Sequence, residues 1–204
     1  MKYTFHYSSP VGGILIAADE DALTGLWFDG QKYYADAPEE AHRDETLREA
    51  AHPVLAQAEN WLDLYFSGRE PGFTPPLRFH ATPFREAVWN ILLTIPYGET
   101  VTYGEIAGKI AEERGTGRMS AQAVGGAVGH NPISIIVPCH RVVGSDGSLT
   151  GYAAGTDIKK KLLTLENADH WLKERKKRDI LFLQYRSMRE SGRKKSPETG
   201  SLQK

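Results

Sequence analysis

The cysteine of this chain stands alone: Cys139 follows a Val-Pro step and precedes His140 and Arg141 in the stretch IIVPCHRVVG, residues 135 to 144. A thiolate is a strong nucleophile, and a nearby imidazole can lower a thiol's pKa or relay its proton. The chemistry on offer is attack by sulfur on an electrophilic carbon. A single cysteine is also commonly a small buried hydrophobe. Three features favour chemistry here: a strand end behind a proline, an adjacent histidine, and a Gly-rich turn that could wall a pocket. Adjacency does not guarantee contact, because neighbours on an extended chain point to opposite sides. A turn or a bridging water would have to join the two groups.

The elements that must position this stretch can be read from spacing. YTFHYSS, GILIAAD and ALTGLWFDG alternate and are punctuated by Pro10 and Gly12-Gly13, which predicts a small antiparallel sheet. Residues 36–45 are polar and acidic and read as a loop. From Leu47 to Phe66 apolar residues recur at helical spacing, with Gly68 as the stop. GREPGFTPPLRFHAT reads as a linker between two domains. Thr82-Pro83 is a candidate N-cap and first helical residue, and Phe84, Val88, Ile91, Leu92 and Ile95 mark one apolar face. Thr102-x-x-Glu105 is a capping box for a further helix running to about Glu113, and Ser120 can cap the helix of SAQAVGGAVG. Two short helices joined by a Gly-containing turn resemble a helix-turn-helix. The small residues of the second would let another backbone come close, whether that of DNA or of a packing helix. ISIIVP reads as a short buried strand ended by Pro138. Gly144, Asp146 and Gly147 form a turn, and KKKLLTLE is a helix segment.

The 204 residues can bury a real core, and 40% apolar with 25% charged content is ordinary for a globular protein. No apolar run is long enough to span a membrane, and the first residues lack a signal peptide's apolar core, so the reading is cytoplasmic. One cysteine cannot make an internal disulfide, which fits a reducing compartment. The net charge of −1 is uneven: residues 171–204 carry eleven Lys/Arg against four Asp/Glu. This basic tail suggests either an anionic partner or a solvated segment whose final part is mobile.

Asn131-Pro132 ahead of PCHRV, then GSLTGYAAG, then a helix ending in Glu166, closely resembles the O6-alkylguanine-DNA alkyltransferases, or methylated-DNA–protein-cysteine methyltransferases. The resemblance is densest from Thr82 to Glu166 and extends to SSPVGGILIA near the start. It implies an α+β protein: a small N-terminal α/β domain of ribonuclease H-like type (1–75), a mostly helical winged helix-turn-helix DNA-binding domain (76–170), and the basic tail (171–204). It implies single-turnover repair, in which O6-alkylguanine, and O4-alkylthymine, is flipped from the duplex and loses its alkyl group to Cys139. His140 would relay the thiol proton through a water, Glu166 would orient that histidine, and Asn131 would brace the turn. Tyr152 and Ala153 would line the base pocket, Tyr103 would meet the extruded nucleotide, and Lys159 matches a pocket lysine. The helix carrying Gln122, Ala123 and Gly126 would enter the minor groove. The implied partner is double-stranded DNA bound by a monomer, with no cofactor, no metal and no membrane.

The chain departs from the family pattern at Gln122, where many members carry an arginine that fills the gap left by the flipped base. Glutamine lacks that charge and planar fork. Ala154 stands where glycine is common, and the loop AEERGTGRMS is longer than in the shortest members. Three rival readings compete. A lesion binder of this family without repair activity would lack the acceptor, and Cys139 is present. A thiol hydrolase or redox sensor would pair the cysteine with a distant histidine, and the remaining histidines sit in no motif. A sequence-specific regulator fits poorly with the excess of acid before residue 170.

Overall fold

The computed structural model describes residues 3–33 and 52–167. Leu47 and Ala51, the acidic loop 36–45 and the basic tail fall outside the described residues. Three strands form an antiparallel meander: β1 (Tyr3–Ser9), β2 (Gly12–Ala18) and β3 (Leu23–Phe28). β2 is central, with both edges paired, and its residues from Ile14 to Ala18 are buried on both faces. Ile14, Ile16 and Ala18 point into the main core, while Leu15 and Ala17 join Trp27 in a small outer cluster. Gly25 makes room for that tryptophan, since a Cβ there would fall inside the indole ring.

Helix α1 (Pro53–Phe66) lays Val54, Ala58, Trp61, Leu62 and Tyr65 on the sheet side. It ends on Gly68 at φ 79°. The Gly68 amide bonds to the Tyr65 carbonyl and that of Arg69 to the Leu64 carbonyl. These are the paired closing bonds of a helix that stops on a left-handed residue. The Pro/Gly-rich stretch that follows is not a free tether. Leu23 N–H donates to Pro76, Arg78 N–H donates back to Leu23, and the Trp61 indole donates to the Phe73 carbonyl at 2.9 Å. The prolines give up few donors that a strap of this kind needs, so an apparent linker lies along the edge of β3.

The second half opens with α2 (Pro83–Leu93), capped by the Thr82 hydroxyl. A short strand β4 (Val101–Thr102) leads into α3 (Tyr103–Glu113), which carries the full capping box between Thr102 and Glu105. Helix α4 (Ala121–Gly129) is capped by Ser120. Each such cap stabilises by about 1 kcal/mol. Strand β5 (Val142–Val143) pairs in parallel with β4, and α5 (Thr156–Leu165) closes the described chain, with Glu166 as its C-cap. Residues from the sheet and from every helix bury together in one continuous cluster. Among the described residues no helix is long and apolar enough to cross a membrane.

ISIIVP is not a strand. Ile133 makes a single parallel bridge with Leu26 of β3, and the chain then coils through turns. The Ile136 amide bonds to the Ser134 carbonyl across Ile135, which sits at φ 67°. The Cys139 amide bonds to the Val137 carbonyl across Pro138, at φ −81° and ψ 62°. Both are three-residue turns. A β-branched residue at positive φ costs about 1–3 kcal/mol and needs its surroundings to hold it. The coil is held by the Asn131 side chain, together with backbone bonds to Leu26 and the Ser134 hydroxyl on Gln31.

A buried thiol and a five-fold hydrogen-bonded carboxylate

Asn131 is buried behind α4. Its Oδ1 accepts from the Ile133 amide at 3.0 Å. Its Nδ2 faces the Ile133 carbonyl at 3.2 Å, the Val137 carbonyl at 2.8 Å and Cys139 Sγ at 3.1 Å. One amide thus spans the coil and ends on the sulfur. Ser134 N–H donates to Leu26 and Leu26 N–H to Pro132, which anchors the same coil to the sheet.

Cys139, His140 and Arg141 form one turn of 3-10 helix, and all three are buried. The turn resolves the adjacency problem by separating the two groups. Sγ faces Asn131, whereas His140 Nε2 lies 2.6 Å from Glu166 Oε1. His140 Nδ1 is buried and, among the described residues, has no hydrogen-bond partner. A carboxylate facing Nε2 fixes the proton there and leaves Nδ1 as the basic nitrogen.

Glu166 collects more than the histidine. Tyr65 of α1 donates to Oε1 at 2.8 Å, Arg141 grips both oxygens from Nε (2.8 Å) and Nη2 (3.1 Å), and the Gly98 amide donates to Oε2 at 3.2 Å. Burial alone would raise the Glu166 carboxyl, but His140 and Arg141 outweigh it and hold it well below the usual carboxylate range. Burial lowers the His140 pKa, and Glu166 only partly restores it. Burial pushes the Cys139 thiol up, with the Asn131 amide and Lys159 pulling the other way. The resting pair is therefore a neutral thiol and a neutral imidazole beside a fixed carboxylate.

Lys159 is fully buried on α5 and donates to the carbonyls of Val142 and Thr150. Burial lowers it to about 8, against a smaller upward pull from Cys139. Tyr152 is buried with its ring edge-on to His140 at 6.4 Å. Ser134 lies beside its hydroxyl but outside hydrogen-bonding geometry. Tyr103, the first residue of α3, donates to the Thr150 carbonyl at 2.9 Å, and burial pushes it up to about 12. Gly151, at φ 79°, passes so close that a Cβ would lie 2.8 Å from that hydroxyl. Ala153 is half-buried, and its carbonyl accepts from the Lys32 amide at 3.0 Å.

Helix α4 buries Val124, Ala127 and Val128, and the Trp89 indole clips the Ala127 carbonyl at 2.9 Å. Its other face is bare: Ala121, Gln122, Ala123 and Gly126 are exposed, and nothing lies within 4 Å of a Cβ built on Gly126. A cleft of about 170 Å³ opens behind the turn, lined by Trp61, Tyr97, Pro138 and Arg141 among others; Cys139 does not line it. Among the described residues no three His, Cys, Asp or Glu side chains gather as a metal site needs.

Cys139, His140, Glu166, Asn131, Tyr152 and Lys159 thus converge on one region, with Tyr103 and Ala153 at its rim. Gln122, Ala123 and Gly126 lie apart from it, on the open face of α4. Sequence reasoning missed Tyr65 and Gly98, and gave Arg141 no role. A phenol on the buried face of an apolar helix must find a polar partner, and that was the available sign for Tyr65.

Fold and site together describe a thiol-centred protein built on a helix-turn-helix. Residues 83–168 match the family model of the 6-O-methylguanine DNA methyltransferase DNA binding domain, and residues 1–79 that of the same proteins' ribonuclease-like domain. The chain belongs to the 6-O-methylguanine DNA methyltransferase family. It is 44% identical to a methylated-DNA–protein-cysteine methyltransferase of Methanosarcina acetivorans, over 79% of this chain and 96% of that one. A protein of the same name from Haemophilus influenzae is 41% identical over 80% of this chain and 86% of its own length. Among solved structures, the Mycobacterium tuberculosis O6-methylguanine methyltransferase superposes with a TM-score of 0.65 at 39% identity, covering 82% of this chain and 94% of that one. The Mycobacterium tuberculosis protein in complex with DNA gives a TM-score of 0.63 at 40% identity, covering 80% and 91%.

Proposed function

We propose that this chain repairs O6-alkylguanine in double-stranded DNA by moving the alkyl group to Cys139, once per molecule. The observation that carries the proposal is the buried turn that seats the Cys139 sulfur on Asn131 and, at the next residue, holds His140 Nε2 on the Glu166 carboxylate while its Nδ1 has no partner among the described residues. The Cys139 proton passes, through a water, to His140 Nδ1. Glu166 stays ionised and stabilises the imidazolium that forms. The thiolate then attacks the alkyl carbon in line, a C–S bond forms and the C–O6 bond breaks. Guanine leaves with the electron pair on its O6–N1 system and takes up a proton at N1, so the thiol's proton is balanced. O4-alkylthymine offers the same alkyl–oxygen bond to the same attack.

Residues 76–170 carry the DNA-binding part and residues 1–75 the supporting N-terminal part. Helix α4 enters the minor groove with Gln122, Ala123 and Gly126, where small residues permit a close approach. Tyr103, Tyr152, Ala153 and Lys159 receive the flipped base. A protein whose work depends on one reduced thiol suits the cytoplasm, and a monomer suffices, since every proposed group comes from one chain. Incubation with a duplex carrying one O6-methylguanine should add one methylene to the intact mass of each chain, located at Cys139 by peptide mapping. Cys139→Ser should bind the duplex and gain nothing; a methyl group on another residue would overturn the proposal.

A further inference from the structure

Tyr65 lies on α1, in the half of the chain that carries none of the proposed reacting groups. Its side chain is fully buried, and its hydroxyl is 2.8 Å from Glu166 Oε1 and 3.4 Å from His140 Nε2. Its ring is held by Trp61 stacked at 5.3 Å and by Phe66 and Tyr97 edge-on. The phenol therefore cannot swing away from the carboxylate without repacking the core.

Oε1 is the oxygen that receives His140. The Tyr65 hydroxyl, a further donor on that oxygen beside His140 and Arg141 Nη2, does two things. It fixes the direction in which the carboxylate presents itself to Nε2, and it draws off part of the negative charge that would stabilise a protonated imidazole. The groups facing His140 are Glu166 and Lys159 from α5, Tyr65 from α1, Tyr152 from the loop before α5, and Cys139 and Arg141 from its own turn. Of these, Tyr65 is the neutral donor placed on the histidine's own acceptor oxygen.

We infer that Tyr65 is a positioning residue of the proton relay, by which the N-terminal half sets how readily His140 accepts the Cys139 proton. The inference rests on the alkyl-transfer reading above. With the hydroxyl gone, Glu166 attracts a proton on His140 more strongly, so the imidazole is protonated at a higher pH. A histidine already protonated cannot take the thiol's proton.

Tyr65→Phe keeps the ring and removes only the donor. Two readouts are taken on the full chain: single-turnover methyl transfer from an O6-methylguanine duplex across pH, and the titration of His140 followed by NMR of its ring. Transfer should slow roughly tenfold or more near neutral pH, the loss expected for one hydrogen bond to a charged group. The acid limb of the pH profile and the His140 titration should both move to higher pH. In a Glu166→Gln background the same change should add little, because the acceptor's charge is already gone. If Tyr65→Phe does not fold, 3-fluorotyrosine at position 65 preserves the packing and strengthens the donor, and His140 should then titrate at lower pH. An unshifted His140 titration overturns the inference whatever the rate, since slower transfer alone is what lost packing produces. A wild-type protein that transfers no methyl group, or a His140→Ala variant that transfers at the wild-type rate, would instead sink the functional reading on which it rests.

Discussion

On one side of the Cys139–Arg141 turn the sulfur meets, among the described residues, a single side-chain donor, the Asn131 amide. On the other, among the described residues, the Glu166 carboxylate receives five donors, two of them from a guanidinium. The thiol's hydrogen-bond partner is a neutral amide, and burial keeps its proton on at rest. The carboxylate side is built around the Glu166–Arg141 ion pair and keeps its charge. His140 stands between the two with one nitrogen committed and one free. On the proposed alkyl-transfer reading, the contrast teaches that Cys139 is not held as a thiolate but waits beside an imidazole whose protonated form has a partner already in place. Burial of a permanently ionised thiolate would cost far more than burial of a thiol.

The largest effect should come from breaking the ionic side. Glu166→Gln removes the carboxylate's charge and leaves the buried Arg141 uncompensated. Loss of one partner from a buried pair costs about 3–5 kcal/mol, which chemical denaturation should detect, and transfer should slow in parallel. The wild-type protein should also show the pair's acid dependence. Glu166 titrates below its unfolded value, so its contribution is complete above the ordinary carboxylate range of about 4.3 and is lost as pH falls beneath it. Glu166→Gln should flatten that acid limb; an identical limb would show that other carboxyls carry it.

Breaking the thiol side should cost somewhat less stability. Asn131→Ala leaves the Ile133 amide and the Ile133 and Val137 carbonyls without that partner, at about 1–3 kcal/mol for an unsatisfied buried group. The melting temperature should fall and the thiol should react faster with a small alkylating reagent as its coil loosens. Protection of Cys139 equal to wild type would mean that Asn131 does not hold the turn.

Lys159 sharpens the comparison, because it is a buried cation on the thiol side. Burial holds it at about 8 against 10.5 in the unfolded chain. The folded state therefore sheds this proton first, and its stability gains as pH rises through that interval. The stability difference between Lys159→Met and the wild type should favour the variant most near neutrality and shift toward the wild type by about pH 10. A difference independent of pH would contradict the assignment. The smallest effect belongs to the exposed face of α4. Gln122→Arg should tighten binding to lesion duplex by about 1 kcal/mol or less, as one added cation at a phosphate-rich surface does, and should help single-stranded substrate less. Equal gains on both would show that position 122 does not fill the gap.

Local signals carried much of the fold. Thr82, Thr102 with Glu105, and Ser120 cap the helices they were expected to cap, and the three opening strands pair as a meander, because both outcomes depend on neighbours within a few residues. The Cys139, His140 and Glu166 types were legible through the motif. The coil at 133–138 was not. Its β-branched run favours a strand by propensity, but Asn131 takes the backbone groups a strand would use, and that is a tertiary decision. The strap at 73–78 read as a linker because proline content says nothing about which sheet edge is vacant. Tyr65 looked like core because hydrophobic spacing does not see the oxygen at the tip of the ring.

The bond between Leu26 and the Pro132–Ser134 segment has a consequence for the order in which the molecule assembles. β1 to β3 can zip by short hairpins as soon as they are made. The partners of Leu26 emerge from the ribosome only after α1 to α4 have been synthesised, so this edge of the sheet must wait, open and apolar, for most of the chain's synthesis. An unpaired edge is where strands from different chains join wrongly. The strap at Leu77, which arrives earlier and covers the neighbouring position on Leu23, shortens what is left exposed. Cys139, seated on Asn131 in that same coil, is therefore covered only once the first and second halves have met.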